Sequence, residues 1–159
     1  MVKVATAIKD YSDYETHQKL RELLYKKCVQ STILGMGPKA HLSRMLSPSQ
    51  NVYTYTYLDD DQPAAPGQIP LALYSHVSDE KNPILFGLLG GTQIATSLSP
   101  TIHNALFKKQ HMKGLYALFL AENLSRDLPA LRRLGVRGFS VTAPHKQAAA
   151  RYADVCDDR

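Results

Sequence analysis

The stretch from residue 86 to residue 146 constrains this chain more than any other. It is entered through an apolar run, Ile84-Leu85-Phe86-Gly87-Leu88-Leu89-Gly90, and passes into Thr96-Ser97-Leu98-Ser99-Pro100-Thr101-Ile102-His103-Asn104. It closes on Gly138-Phe139-Ser140-Val141-Thr142-Ala143-Pro144-His145-Lys146. Each end reads as a strand running into a polar turn that starts a helix. In an open parallel sheet such turns lie at the carboxyl ends of strands, where these folds bind ligands. The hydroxyls of Ser97 and Ser99, with Thr142 and Lys146 from the other turn, suit a small polyhydroxylated anion.

The charge distribution agrees with an anion site in the second half. Residues 1–83 carry nine Lys/Arg against nine Asp/Glu, whereas residues 84–159 carry ten against five, so the whole net charge of +5 sits there. A nucleic-acid surface needs basic residues clustered on one face with aromatics between them. The tight basic group here, Arg132, Arg133 and Arg137, surrounds a helix end, where cations suit the dipole. No nucleic-acid partner is expected. Cys28 and Cys156 lie far apart without metal-ligand spacing, so no metal site is expected, and both read as reduced cytosolic thiols. No apolar run approaches the ~18 residues of a membrane span. The opening Met1-Val2-Lys3-Val4 lacks the profile of a secretion signal, so the expected compartment is cytoplasmic.

Along the chain, strand and helix alternate. Residues 2–8 read as a buried strand containing Lys3. Asp10, Ser12 and Asp13 offer caps for a helix to about residue 27, with Tyr14, Leu20, Leu23 and Leu24 spaced to face a core. Residues 31–36 form the next strand and 41–46 a short helix. Residues 52–58 alternate tyrosine and threonine and read as a strand. Residues 59–70 have loop composition, and 71–76 suit a helical turn. After the polar stretch 78–83 the rhythm restarts: strands at 84–89, 115–120 and 138–142, and helices at 100–111, 123–134 and 145–153. Asn123 or Ser125 can cap the middle helix and Gly135 can end it. Alternation of this kind predicts α/β architecture with parallel sheets in both halves. In the first half three parallel strands leave both sheet edges open, and the second half stops at Asp157-Asp158-Arg159 just after a helix with no returning strand, so both read as incomplete.

The second half resembles the substrate-binding domain of shikimate dehydrogenase. The resemblance rests on Ser97-Leu98-Ser99-Pro100 followed by His103-Asn104, and on Gly138 through Val141-Thr142, Pro144 and Lys146. It implies that Ser97 and Ser99 hold the substrate carboxylate, Thr142 contacts a ring hydroxyl and Lys146 is the catalytic lysine. It also implies NADP as cofactor of the full-length dehydrogenase, with its binding domain expected downstream of residue 159. The chain departs from that pattern at Ser140, where asparagine is usual, and at Thr96, where histidine is common. Gly87 and Gly90-Gly91 do not make a dinucleotide fingerprint and read as a tight turn.

The first half resembles the carboxyl-terminal part of a type I 3-dehydroquinate dehydratase barrel. The residues that carry this are Lys3-Val4-Ala5, Gly35-Met36-Gly37 through Leu42-Ser43-Arg44, and Ala65-Pro66-Gly67-Gln68-Ile69. By the resemblance, Lys3 is a Schiff-base lysine that attacks a ketone and acidifies the neighbouring carbon. Arg44 would pair with the substrate carboxylate and Gln68 would bind substrate. The general acid-base histidine belongs upstream, and His17 is not a substitute.

These two domains occur in this order in bifunctional shikimate-pathway enzymes and in fungal quinate-pathway repressors. The expected fold class is therefore α/β: a partial (β/α) barrel segment over 1–77, a linker over 78–83, and an open parallel-sheet substrate-binding domain over 84–159, both incomplete. The expected partner is a small molecule such as 3-dehydroquinate, 3-dehydroshikimate or shikimate. The chain as written is expected to turn over neither substrate, and a ligand-sensing regulator is the alternative.

Overall fold

A computed structural model describes residues 1–46, 51–58, 61–78 and 83–157. Most of the expected linker, at 79–82, lies outside these residues, as do positions 59–60 of the expected loop. The chain divides into two compact units, Met1–Pro83 with His111–Lys113, and Ile84–Gln110 with Gly114–Arg159. Both are α/β with parallel strand pairing.

In the first unit, strand β1 (Val2–Ala7) leads through helix α1 (Asp13–Lys26) to strand β2 (Ser31–Met36). The strands pair in parallel from Val2 with Ser31 to Ala7 with Met36. Helix α2 (Leu42–Met45) follows, then the short parallel pair β3 (Thr56–Tyr57) and β4 (Ile69–Pro70), then helix α3 (Leu71–Ser78). β2 is buried over most of its length, because α1 packs on it and residues 51–53 run along its free side. There Val52 N–H donates to Ser31 O at 3.1 Å, and Ile33 N–H to Asn51 Oδ1 at 2.9 Å.

Three expectations are corrected in this unit. β1 is exposed rather than buried, because among the described residues it pairs with β2 alone. The segment 52–58 is extended as a strand only at Thr56–Tyr57. On α1 the core face is Tyr14 and His17, while Leu23 is exposed and Leu20 and Leu24 are half-buried. Tyr14 takes over that core because its hydroxyl finds Lys39 O at 2.6 Å, which lets an aromatic ring with a polar tip be fully buried.

In the second unit, strand β5 (Ile84–Gly90) is central in the order β6-β5-β7. It runs into a 3-10 helix (Thr92–Thr96), which the sequence pattern did not suggest, and then into helix α4 (Ser99–Lys109). Strand β6 (Gly114–Leu120) leads to helix α5 (Leu124–Arg133), and strand β7 (Val136–Val141) to helix α6 (Lys146–Ala150). Leu85, Leu89, Leu115, Phe119 and Leu131 are fully buried and form the core between sheet and helices. Asn123 caps α5, its Oδ1 accepting from Ser125 N at 3.0 Å and Arg126 N at 3.4 Å. Gly135 ends it at φ 85°, the left-handed conformation that favours glycine.

The outer edge of β6 is closed by a side chain. Asn104 Nδ2 donates to Tyr116 O at 2.9 Å, and its Oδ1 accepts Tyr116 N–H at 2.8 Å. His103, one residue earlier on α4, stacks on the Tyr116 ring at 4.2 Å. Asn104 therefore acts as a one-residue substitute for a neighbouring strand. Replacing Asn104 by Ala leaves a buried N–H and C=O unpaired and is expected to lower stability by about 2 kcal/mol in urea unfolding. A loss below about 0.5 kcal/mol would mean that water satisfies both groups at little cost.

Candidate functional site

β5 and β7 are parallel neighbours, so the segments leaving their carboxyl ends start side by side. After β5, the 3-10 helix closes with Ser97 N–H donating to Ile94 O at 2.9 Å. Ser97 Oγ then accepts Ser99 N–H at 3.2 Å and donates to Ser99 Oγ at 3.1 Å. Both serines are half-buried. Ser97 thus orders the start of α4 and holds the second hydroxyl beside its own.

After β7, Thr142 N–H donates to Leu89 O at 3.0 Å, extending the sheet pairing by one residue. Ala143 O accepts Gly91 N–H at 3.3 Å and also the Gln93 side-chain amide, which joins the two turns directly. His145 N–H closes the turn on Thr142 O at 2.9 Å, and the buried His145 ring donates from Nε2 to Ala121 O at 2.8 Å. Lys146 follows as the first residue of α6 with its side chain exposed. A Cβ at Gly90 would lie 2.6 Å from both Thr142 Cγ2 and Ile94 Cγ2, so glycine is what lets the turns approach. Ser97 and Ser99 are therefore in contact, Thr142 and Lys146 share the adjoining turn, and Gly91, Gln93 and Ala143 connect the two. Gln93 and His145 were not singled out from sequence. The available signal for His145 was its position between a proline and a lysine inside a tight turn.

In the first unit, Arg44 is fully buried and its Nη1 donates to Gly35 O at 3.1 Å and Gly67 O at 2.6 Å. Ser43 Oγ accepts Gly35 N–H at 2.9 Å, so adjacent residues of α2 hold both polar groups of one backbone position in β2. Gly67 sits at φ 88°, and a Cβ there would lie 2.7 Å from Ala40 Cβ. Gln68 is half-buried and its Oε1 accepts Ala65 N–H at 3.2 Å, so it braces the turn that carries it. Among the described residues Arg44 Nε is buried without a partner. Burial pulls the Arg44 pKa below the usual arginine value. Lys3 is exposed; its Nζ donates to Tyr55 Oη at 3.3 Å and lies 4.6 Å from that ring's centre. That contact holds the Tyr55 phenol below its usual pKa.

The glycines after β5 do not fit a nicotinamide dinucleotide. A phosphate cradle needs open space over glycine and free N–H groups. Here the space over Gly90 is taken by Thr142 and Ile94, that over Gly91 by Gln93 Oε1 at 2.6 Å, and Gly91 N–H is committed to Ala143. What this end of the sheet offers instead is hydroxyls, one amine and a closed backbone.

Residues 89–159 match the shikimate dehydrogenase substrate binding domain. The bifunctional 3-dehydroquinate dehydratase/shikimate dehydrogenase of Arabidopsis thaliana, a chloroplastic protein, is 32% identical over 99% of this chain and 26% of its own length. Shikimate dehydrogenase (NADP(+)) of Syntrophobacter fumaroxidans is 46% identical over 43% of the chain and 24% of that protein. The chain thus spans about a quarter of the length of these curated relatives. Among solved structures, a shikimate dehydrogenase in complex with NADP+ is 38% identical with a TM-score of 0.42, covering 45% of this chain and 25% of that one. The dehydroquinate dehydratase and shikimate dehydrogenase from S. pombe is 22% identical with a TM-score of 0.44, over 98% of this chain and 30% of that one. The resemblance to the bifunctional enzymes read from the motifs therefore extends over nearly the whole chain. No described helix is long and apolar enough to cross a membrane.

Two histidines of the first unit make its stability sensitive to acid. His17 is buried, with Nε2 2.5 Å from Thr6 Oγ1, and burial, followed by the charge of Arg21, lowers its pKa. His41 is lowered to about 4, first by burial and then by Arg44, against the opposing effect of a hydrogen bond with Pro38. Both folded values lie below the unfolded value, so the unfolded chain binds more protons as pH falls from about 6.5 towards 4. Stability present above pH 6.5 is therefore lost over that window. Urea unfolding at pH 7.5 and pH 4.5 is expected to differ by on the order of 2 kcal/mol. His17→Gln should reduce the difference, and a pH-independent midpoint would refute the assignment.

Proposed function

We propose that residues 84–157 hold shikimate or 3-dehydroshikimate as the substrate-binding part of an NADP-linked shikimate dehydrogenase. The observation that carries this reading is the pairing of two turns at the carboxyl ends of neighbouring strands, one with the Ser97–Ser99 hydroxyl pair, the other with Thr142 and Lys146. The two serine hydroxyls lie 3.1 Å apart, and both can donate to the oxygens of one carboxylate once the Ser97 proton turns from Ser99 Oγ to the ligand. Thr142 offers a hydroxyl to a ring oxygen. Lys146 brings an amine that can give a proton to, or take one from, the carbinol oxygen. The nicotinamide named for the relatives supplies the hydride chemistry.

For the first unit the reading is a segment of a type I 3-dehydroquinate dehydratase (β/α) barrel, with Lys3 as Schiff-base lysine. Arg44 would be the carboxylate partner in that reading, its Nε being buried without a partner among the described residues, and Gln68 lies on the turn that Arg44 anchors. Residues 1–77 and 84–159 are then two catalytic domains of one shikimate-pathway polypeptide, and the small-molecule substrates are its expected partners. A cytoplasmic or plastid location both fit this reading.

Calorimetric titration of the 159-residue chain with shikimate is expected to give saturable binding. Replacing Ser97 and Ser99 together by Ala should weaken it by roughly 10- to 100-fold, the range for hydrogen bonds to a charged group. Equal affinity in the double variant would remove the carboxylate assignment. Binding that survives Lys146→Met with no turnover at all in any longer form of the protein is the result expected of a ligand-sensing regulator. For Lys3, borohydride reduction in the presence of 3-dehydroquinate is expected to add one reduced ligand mass to the peptide containing it. A chain that stays unmodified, or is modified elsewhere, rules out the Schiff-base role.

A further inference from the structure

We infer that His145 is a positioning residue for the substrate turn, a role that rests on the reading of that turn proposed above. In the sheet order β6-β5-β7 the two outer strands have no backbone contact with each other. His145 bridges them. It leaves the end of β7, passes the end of β5, and donates from Nε2 to Ala121 O, just beyond β6, at 2.8 Å. Ala121 N–H in turn donates to Gly90 O, the last residue of β5, at 2.9 Å. Thr142 N–H is fixed on Leu89 O from the other side of the same strand. The imidazole therefore ties the β7 turn to the residue after β6, which is itself bonded to the end of β5.

Backbone and Gln93 bonds join the β7 turn to the β5 end, and His145 adds the link to the residue after β6. α6 spans only Lys146–Ala150 and has no buried residue, so Lys146 is aimed mainly by the turn before it. The ring is 8% exposed, whereas Lys146 is exposed and Thr142 half-buried. A carbonyl can only accept, so the bond fixes the proton on Nε2. An aromatic ring without that proton would fill the space and leave Ala121 O unpaired. His145 thus acts through Thr142 and Lys146 and not through the serine pair.

The test uses the full chain and shikimate as the titrant. His145→Phe is expected to weaken binding about tenfold, the effect of one lost hydrogen bond on a buried acceptor, while His145→Gln, which keeps a donor at similar reach, recovers most of it. In double-mutant cycles, His145→Phe with Lys146→Met should be little worse than the worse single variant, whereas His145→Phe with Ser97→Ala should be additive. A residue that only packs would be additive in both. In the unsubstituted chain, nitrogen-15 NMR of the imidazole should show the proton on Nε2, a readout that holds even if a variant fails to fold. A proton on Nδ1, or His145→Phe binding like the parent while Lys146→Met and Ser97→Ala both weaken, overturns the positioning role and leaves the substrate site standing. No binding by the parent chain at millimolar shikimate overturns the site reading and the inference with it.

Discussion

Everything in the second unit depends on β5 having both edges paired. A strand between two parallel neighbours must find backbone partners on each side and is covered by helices on its faces, which is why it reads as an unbroken apolar run. The same pairing sends three chain segments away from one end of the sheet, since parallel strands finish together. Those segments have only a few residues in which to reverse, and their polar groups cannot be left in the interior. The answer seen here is mutual satisfaction. Ala143 O serves Gly91 and Gln93, Gly90 O serves Ala121, and Ala121 O serves His145. The result is a rigid rim of backbone from which hydroxyls and an amine project.

The first unit solves a related problem with longer side chains. At the end of β2 the backbone of Gly35 is gripped through N–H by Ser43 and through C=O by Arg44. The same guanidinium reaches Gly67 O and so brings the second turn onto the first. Removing a charge of this kind from water is costly, and the lowered Arg44 pKa is the sign of that desolvation. Both carbonyls are served by the one nitrogen Nη1, and a lysine there would offer only a single ammonium on a flexible stem, with no further donor edge beyond it.

The strand–turn–helix rhythm of the second half was legible because apolar runs, capping asparagine and a terminating glycine all agree there. β5, β6, β7 and the three helices lie within a few residues of where the pattern places them. The first half was less legible for physical reasons. Residues 2–8 carry a β-branched pattern that suits burial, yet burial depends on neighbours that no local pattern encodes, and β1 is exposed. The tyrosine–threonine alternation at 52–58 has strong strand propensity, but among the described residues a strand ladder forms at Thr56–Tyr57, while Val52 meets β2 through one backbone bond to Ser31. The four residues 97, 99, 142 and 146 were nominated from hydroxyl and amine chemistry. The clamp beneath them was not, because hydrogen bonds such as His145 to Ala121 and Gln93 to Ala143 are made across the sheet and leave no periodic trace.

The motif residues of this chain divide by whether their hydrogen-bonding capacity is already used. Asn104, Ser43 and His145 have theirs committed to backbone groups, and each closes an edge or a turn. Thr142, Lys146 and the Nε edge of Arg44 keep capacity in reserve, and Ser99 accepts from Ser97 with its own proton still to place. Buried or half-buried polar groups are ordinarily satisfied within the protein. A motif match alone does not make that distinction. Asn104 and Thr142 both stand in the motifs that carry the family resemblance, but Asn104 is engaged at both ends of its amide by the backbone of Tyr116.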